Sequence, residues 1–336
     1  MCMIIRIIFA QLLLSFLHCG VVHASPTCMD VDSHDDGEVR QVGQLVGSIN
    51  TMSFSPDSRT LIIAADSRLH LYHFPEMTEI HQLDVGIKQI LDIKFSPDGE
   101  RLFVGGGDPG TRGVIIEYSW PAVVELNRSQ LHRDVIWQLA FSQDGTWLVT
   151  GGQDHAVNVT NRETRKTTAL SEHSGPVRGV VFLDETTFVT SSEDGSLRTW
   201  SIDTLNVAKI LEHHIDAVHG MVLAAKNWNE QNQFDDTVFS FGADRTIRYW
   251  QPIRGRMVRF IRLPARPTSV VAMAEPMELL IGDTSGNLHW VDMRSAKIIR
   301  SIHVGSYWIE SLCFSPVEQL VIVGTHKGAV LRVKVN

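Results

Sequence analysis

The chain has 336 residues, 43% hydrophobic and 20% charged, with 30 Lys+Arg against 38 Asp+Glu for a formal charge of −8. This balance excludes a disordered or collagen-like chain, and the acidity argues against a general nucleic-acid binder, which carries a basic face. The length admits one large domain or two ordinary ones.

Residues 1–24 read MCMIIRIIFAQLLLSFLHCGVVHA, with Arg6 as the only charge. An apolar run from Ile7 to Leu17, broken by Gln11 and Ser15, leads to a small-residue exit at Val22-His23-Ala24. This is the order of a secretory signal peptide, with cleavage expected between Ala24 and Ser25. The run is short of the ~20 residues a membrane span needs, and no other stretch is long enough, so no span is expected after cleavage. The expected compartment is exported, secreted or periplasmic. Cys19 lacks the small residue that precedes a lipidated cysteine. Cleavage leaves Cys28 and Cys313, which make no disulfide framework and are read as unpaired thiols.

Residues 25–37 form an acidic linker, with Asp30, Asp32, Asp35 and Asp36. The cluster invites a calcium reading, but the twelfth position from Asp32 is Gly43 rather than Glu, so a solvated linker is the better reading.

From residue 38 onward the chain repeats. An apolar residue is followed five places on by another, often a Phe leading into Ser-Pro-Asp. The pairs are Ile49/Phe54, Ile90/Phe95, Ile136/Phe141, Val177/Phe182, Val218/Leu223, Thr268/Met273 and Ile309/Phe314. Successive first members lie 41, 46, 41, 41, 50 and 41 residues apart. The two long steps carry insertions, one Gly-rich at Gly105-Gly106-Gly107-Asp108-Pro109-Gly110 and one polar from Lys226 to Asp236. Within each unit, as in FVTSSEDGSLRTW at 188–200, the pattern has period two between Asp, Gly and Pro turns. That is the mark of short antiparallel strands, and four strands per unit of about 40 residues make a propeller blade. The predicted fold is all-β: a seven-bladed β-propeller over residues 38–336. Residues 38–46 (EVRQVGQLV) read as an outer strand comparable with 297–304 (KIIRSIHV), so the first segment is expected to complete the last blade and remove an exposed sheet edge.

Particular residues carry a family resemblance. The fourth unit has His173-Ser174-Gly175-Pro176-Val177, then Thr190, Asp194-Gly195 and Trp200; the fifth has His214, Ser240, Asp244 and Trp250. With these, the chain resembles the WD-repeat (WD40) β-propellers across nearly all of its mature length. The resemblance implies that each set of four is a structural hydrogen-bonded tetrad rather than a catalytic one. The third unit keeps His132, Thr150 and Asp154 but has Thr160 in the Trp place. The first has Tyr72 there and no matching His, the sixth has Val291-Asp292, and the seventh ends Val333-Lys334-Val335. For these units the resemblance rests on spacing.

In that family the loop into the inner strand and the loop between the second and third strands share one face, the top. The residue after each anchor is then expected at the channel mouth: Asn50, Leu91, Trp137, Arg178, His219, Ser269 and Glu310. Arg and large aromatic side chains dominate binding hot spots, so the expected partner surface is Trp137, Arg178, His219, Glu310, Tyr307, Trp308 and Arg245. The Gly-rich insertion lacks the Lys-Ser/Thr ending and helix of a phosphate-binding loop and reads as an extended turn. His213 is expected to point away from His214 as its strand neighbour, which leaves no metal pair. No H-E-x-x-H or G-x-S-x-G motif occurs, and no catalytic residue, metal or cofactor is assigned. Of the sequons at Asn127 and Asn158, the second falls in a predicted strand.

The expected function is a non-catalytic protein–protein interaction scaffold of an exported compartment. It binds a protein or peptide on its top face, as a monomeric module within a complex, with no nucleic acid. The alternative is an exported propeller enzyme of hydrolase or lactonase type, with Glu310, His219 and Asp108 as raw material at the channel mouth.

Overall fold

Alternating apolar and polar residues between turn residues dictate strands, and the computed structural model, which describes residues 39–224, 236–274 and 277–335, contains strands and no helix among them. The expected signal peptide, the linker and Cys28 lie outside the described residues, as does the polar insertion apart from Asp236.

After β1 (Val39–Gln44), strands follow in groups of four, each group a separate antiparallel sheet ordered from the inside outwards. The first blade is β2 (Ile49–Phe54), β3 (Thr60–Ala65), β4 (Arg68–His73) and β5 (Thr78–Asp84). The second is β6 (Gln89–Phe95), β7 (Arg101–Asp108), β8 (Arg112–Ser119) and β9 (Glu125–His132). The third is β10 (Ile136–Phe141), β11 (Trp147–Gly152), β12 (Val157–Asn161) and β13 (Thr167–Leu170). The fourth is β14 (Val177–Phe182), β15 (Thr187–Ser192), β16 (Ser196–Ser201) and β17 (Val207–Glu212). The fifth is β18 (Val218–Leu223), β19 (Val238–Gly242), β20 (Thr246–Gln251) and β21 (Arg256–Arg262). The sixth is β22 (Pro267–Met273), β23 (Glu278–Asp283), β24 (Asn287–Asp292) and β25 (Lys297–His303). The seventh combines β26 (Ile309–Ser315), β27 (Leu320–Thr325) and β28 (Ala329–Lys334) with β1. β1 runs antiparallel to β28, from Val39 opposite Val333 to Gln44 opposite Ala329. This is a seven-bladed propeller closed by its first strand.

The recurring Ser-x-Asp after the inner strand has a local cause. In the first three blades the serine hydroxyl donates to the Asp two residues on, Ser55 to Asp57 at 2.6 Å, Ser96 to Asp98 at 2.5 Å and Ser142 to Asp144 at 2.5 Å. Each Asp also accepts a backbone N–H two residues further on, from Arg59, Glu100 and Thr146. The serine oxygen in turn accepts the N–H that opens the second strand, as Thr60 does at 2.9 Å. The side chains thus satisfy the turn that the hairpin needs. These bonds hold the Asp57, Asp98 and Asp144 carboxyls below the usual carboxylate range.

The core is distributed over the joints between blades. One apolar cluster joins the first and second blades around Leu69, Leu71, Ile90 and Val104, and another joins the fifth and sixth around Phe239, Tyr249 and Leu279. The ring is closed by Ile49, Leu61 and Ile63 of the first blade packed on Leu320, Ile322 and Val330 of the seventh. Cys313 lies against this last cluster as a free thiol, and burial pushes it up to about 12.

Two expectations are corrected here. The Gly-rich stretch is not an extended turn. Gly105, Gly106 and Gly107 are buried inside β7, which pairs with β8 out to Asp108 opposite Arg112. The insertion lengthens a hairpin, and a Cβ on Gly106 would stand 2.0 Å from the Gln89 carbonyl oxygen. His213 is outside the strands and does not point away: its ring stacks on Trp250 at 5.7 Å. Asn158 is buried, its amide donating to the Leu131 carbonyl at 2.7 Å. No helix among the described residues is long and apolar enough to cross a membrane.

Candidate functional site at the channel mouth

Each inner strand carries a bulge one residue past its buried anchor. The register slips between Ile49 and Thr51, and at the same point of every other inner strand. A bulge leaves its extra residue out of the ladder and re-aims it. The seven residues so released, Asn50, Leu91, Trp137, Arg178, His219, Thr268 and Glu310, all line one central cavity of 660 Å³.

The sixth member differs from expectation. The buried anchor of β22 is Pro267, opposite Asp283, so the released residue is Thr268 rather than Ser269. Proline has no N–H for the ladder and is tolerated at the first residue of a strand. A proline does not register in an apolar pattern, and the spacing therefore points to Thr268 as the anchor. Ser269 still lines the cavity and accepts the Leu312 N–H at 3.1 Å. Comparable bonds lace neighbouring inner strands, which share no sheet. Asp92 accepts the Leu139 N–H at 2.9 Å and Gln138 accepts that of Val180 at 2.8 Å.

Two arginines sit at the mouth, each laid on an indole. The Arg178 guanidinium lies 3.4 Å from the centroid of Trp137, whose Nε1 donates to Gln153 at 2.8 Å. Arg178 also pairs with Glu193 at 2.6 Å. Arg266 lies 5.7 Å from the centroid of Trp308, which is 47% exposed. Burial and the charges of Arg178 and Arg266 hold the His219 imidazole below its usual range. Its Nε2 is buried with no partner among the described residues. Burial raises the Glu310 carboxyl, and His326 and Arg266 pull it back.

Of the expected surface, Trp137, Arg178, His219, Trp308 and Glu310 come together in the cavity wall, and Tyr307 and Arg245 do not. Tyr307 precedes Trp308 and faces the Lys327 ammonium at 5.4 Å. Arg245 stands on the β19–β20 turn with φ +62°, bonded to the Pro264 carbonyl. Asp108 is also outside the wall, held by the Lys88 N–H and Arg112. The three groups considered for an enzyme therefore do not converge. Sequence reasoning missed Arg266, whose position one residue before Pro267 was the available signal.

Behind the mouth lie the tetrads. An indole only donates, which fixes the direction of the chain. Trp200 Nε1 donates to the Thr190 hydroxyl at 2.8 Å, that hydroxyl donates to His173 Nε2 at 2.7 Å, and Nδ1–H donates to Asp194 at 2.8 Å. Trp250, Ser240, His214 and Asp244 repeat it at 2.7, 2.7 and 2.9 Å. Residues 37–73, 125–161 and 164–201 match the family described as WD domain, G-beta repeat. Three segments, a third of the chain, thus match the WD40 repeat. A solved structure described as "Structure of U3-55K" is similar with a TM-score of 0.77 at 18% identity, covering 89% of this chain and 99% of that one. No curated protein matches.

The matched WD40 segments are offset from the blades. Each begins with an outer strand and ends with the third strand of the next blade, as 125–161 runs from β9 to β12. That offset is why β1 belongs to the seventh blade. The fifth unit is not among the matched segments although its tetrad is complete; its β18–β19 connection carries the polar insertion. His132, at the end of β9, bonds Thr150 and Asp154 of the third blade at 2.8 Å each, but Thr160 supplies no indole. A 510 Å³ groove stands there between the second and third blades, lined by Thr160, Arg101 and Glu117 among others.

Trp200→Phe is expected to lower stability by about 1–2 kcal/mol, because the Thr190 hydroxyl loses a buried donor. The ring stack on Phe188, 5.8 Å between centroids, survives the change. An unchanged urea midpoint would count against a tetrad that stabilises the blade.

Proposed function

We propose that this chain is a non-catalytic scaffold of an exported compartment that holds a protein or peptide partner at the mouth of its channel, as a monomeric module of a larger complex. The observation that carries the reading is the pair of arginine–indole stacks, Arg178 on Trp137 and Arg266 on Trp308, at the rim of the 660 Å³ cavity. Arginine and tryptophan are the side chains that most often dominate binding energy. Here their mutual contacts hold them in place before a partner arrives, which lowers the entropic cost of binding. The WD40 propeller is typically an interaction scaffold, and fold alone does not fix function, so the weight rests on the stacks. Export is supported by the n-, h- and c-region order of residues 1–24.

The test is affinity capture with the 25–336 chain beside Trp137→Ala/Arg178→Ala and Trp308→Ala, each variant checked for a native melt. The expected result is one partner kept by the wild type and lost, or held at least about tenfold more weakly, by the variants. A partner kept equally by all three removes the site from the mouth. Capture of nothing removes the scaffold reading.

A further inference from the structure

The chain is acidic overall, yet its outer strand β21 is rich in arginine and free of acids. β21 and the turn before it read Arg254-Gly-Arg256-Met-Val-Arg259-Phe-Ile-Arg262, four arginines in nine residues without an acid. Among the described residues none of the four makes an ion pair. Arg254, Arg256 and Arg262 are exposed. Between them stand two apolar side chains, Val258 at 39% and Phe260 at 54% exposure. The strand is hydrogen-bonded to β20 on one side only, so its other edge offers unpaired backbone donors and acceptors.

Charges on an edge strand ordinarily guard it against pairing with another sheet. Four like charges do so here for a second copy of this chain: antiparallel self-pairing of β21 would bring arginine against arginine. Guarding does not explain Phe260, an exposed ring in the middle of the strand with the Arg248 guanidinium 5.5 Å from its centroid. Nor do other outer strands match it: β5 (TEIHQLD) and β17 (VAKILE) carry acids of their own, and β25 (KIIRSIH), which also lacks them, has one lysine and one arginine where β21 and its turn have four arginines. An edge that repels its own kind and alternates arginine with apolar surface matches an extended segment of opposite sign. Strand addition gives affinity through the main chain and selectivity through alternate side chains.

We infer that β21 is a docking edge for an extended acidic segment of a partner protein. The segment pairs with the strand through its backbone, sets Asp or Glu side chains against Arg256 and Arg262, and lays an apolar side chain on Val258 and Phe260. This surface is separate from the channel mouth and does not depend on the reading given for it. A single-stranded nucleic acid is the less favoured ligand, because such sites stack successive bases on several aromatic side chains and the strand presents one.

The test is fluorescence anisotropy with a labelled octapeptide that alternates Glu with Val and Phe, titrated with the full chain. Its partners are the same peptide with Lys for Glu, a form N-methylated at alternate residues, a single-stranded RNA, and phosphatidylserine–phosphatidylcholine vesicles. The acidic peptide is expected to bind, and to weaken at least about tenfold with Arg256→Glu/Arg262→Glu, in which attraction becomes repulsion. Phe260→Ser and N-methylation are each expected to weaken it, and Trp308→Ala at the channel mouth to leave it unchanged. Equal binding of the Lys peptide or of the N-methylated form overturns the proposal, as does binding untouched by the double variant or no binding at all. RNA or vesicles held more tightly than the peptide, and released by the double variant, also overturn it.

Discussion

A chain that begins at residue 47 is expected to unfold at a clearly lower urea concentration than one that begins at residue 38, and to associate on standing. The difference between the two is β1 and the residues beside it. Removing β1 strips the ladder from the outer side of β28, where Val39, Arg40, Gln41, Gly43 and Gln44 face Val333, Arg332, Leu331, Val330 and Ala329. It also removes the bond from the Leu45 N–H to the Gly328 carbonyl at 2.8 Å and that from Gln44 to the Lys327 carbonyl at 2.7 Å. Val42 and Leu45 leave the cluster that joins the seventh blade to the first.

Two half-buried aliphatic side chains and a lost ladder amount to about 2–4 kcal/mol. The effect is not confined to one blade, because that cluster is the joint at which the ring closes. β28 becomes an exposed edge of largely apolar residues, AVLRVK, and such edges pair with other chains. Equilibrium urea unfolding and light scattering on both chains decide it. Coincident unfolding curves would falsify the closing role of β1.

The repeat was legible because inner strands are constrained on both sides. A strand packed against two neighbouring blades must be apolar at its first and last positions, and a bulge after the first fixes the distance between them. Spacing alone thus places Ile49 and Phe54, or Ile136 and Phe141, at the ends of observed strands. Phe-Ser-Pro-Asp repeats because Ser and Asp close the next turn with their own side chains.

The failures are as local. Pro267 occupies an anchor position that apolar spacing does not register, which shifted the reading of the sixth inner strand by one residue. Gly105–Gly107 looks like a loop in composition but lies in a strand crowded by its neighbours. Tyr307 and Trp308 are adjacent, and only a structure says which one turns into the channel. Arg266 joins the mouth from a loop, where no periodicity constrains the chain. The arginines of β21 leave no mark in an apolar period, since an outer strand has one neighbour and a freer pattern.

Asp244→Ala is expected to cost about 3–5 kcal/mol, the usual price of leaving a buried charge without its partner. Asp244 accepts from His214 Nδ1 at 2.9 Å, from the Thr246 N–H at 3.1 Å and hydroxyl at 2.7 Å, and from Arg248 Nη2 at 3.1 Å. Its side chain is fully buried and Arg248 is 8% exposed. Alanine therefore removes the anion opposite an enclosed guanidinium and the orienting group of the tetrad together. Asp244→Asn keeps an acceptor oxygen for Thr246 but not the charge, so a smaller loss is expected.

The same site sets an acid response. Burial, against the pull of Asp244, lowers His214 from its ordinary 6.5 to about 4. The unfolded chain binds this proton first, so the contribution of His214 is complete above pH 6.5 and shrinks as pH falls towards 4. Asp244 is itself held below its ordinary 3.8 by these hydrogen bonds and by His214, and its contribution is lost as pH falls below that value. Urea midpoints across this range are expected to fall in the wild type and to fall less in His214→Gln, which has no imidazole to protonate. Equal slopes would assign the acid response to other groups, and an Asp244→Ala midpoint close to that of the wild type would mean that Arg248 finds solvent or another acceptor once the carboxylate is gone.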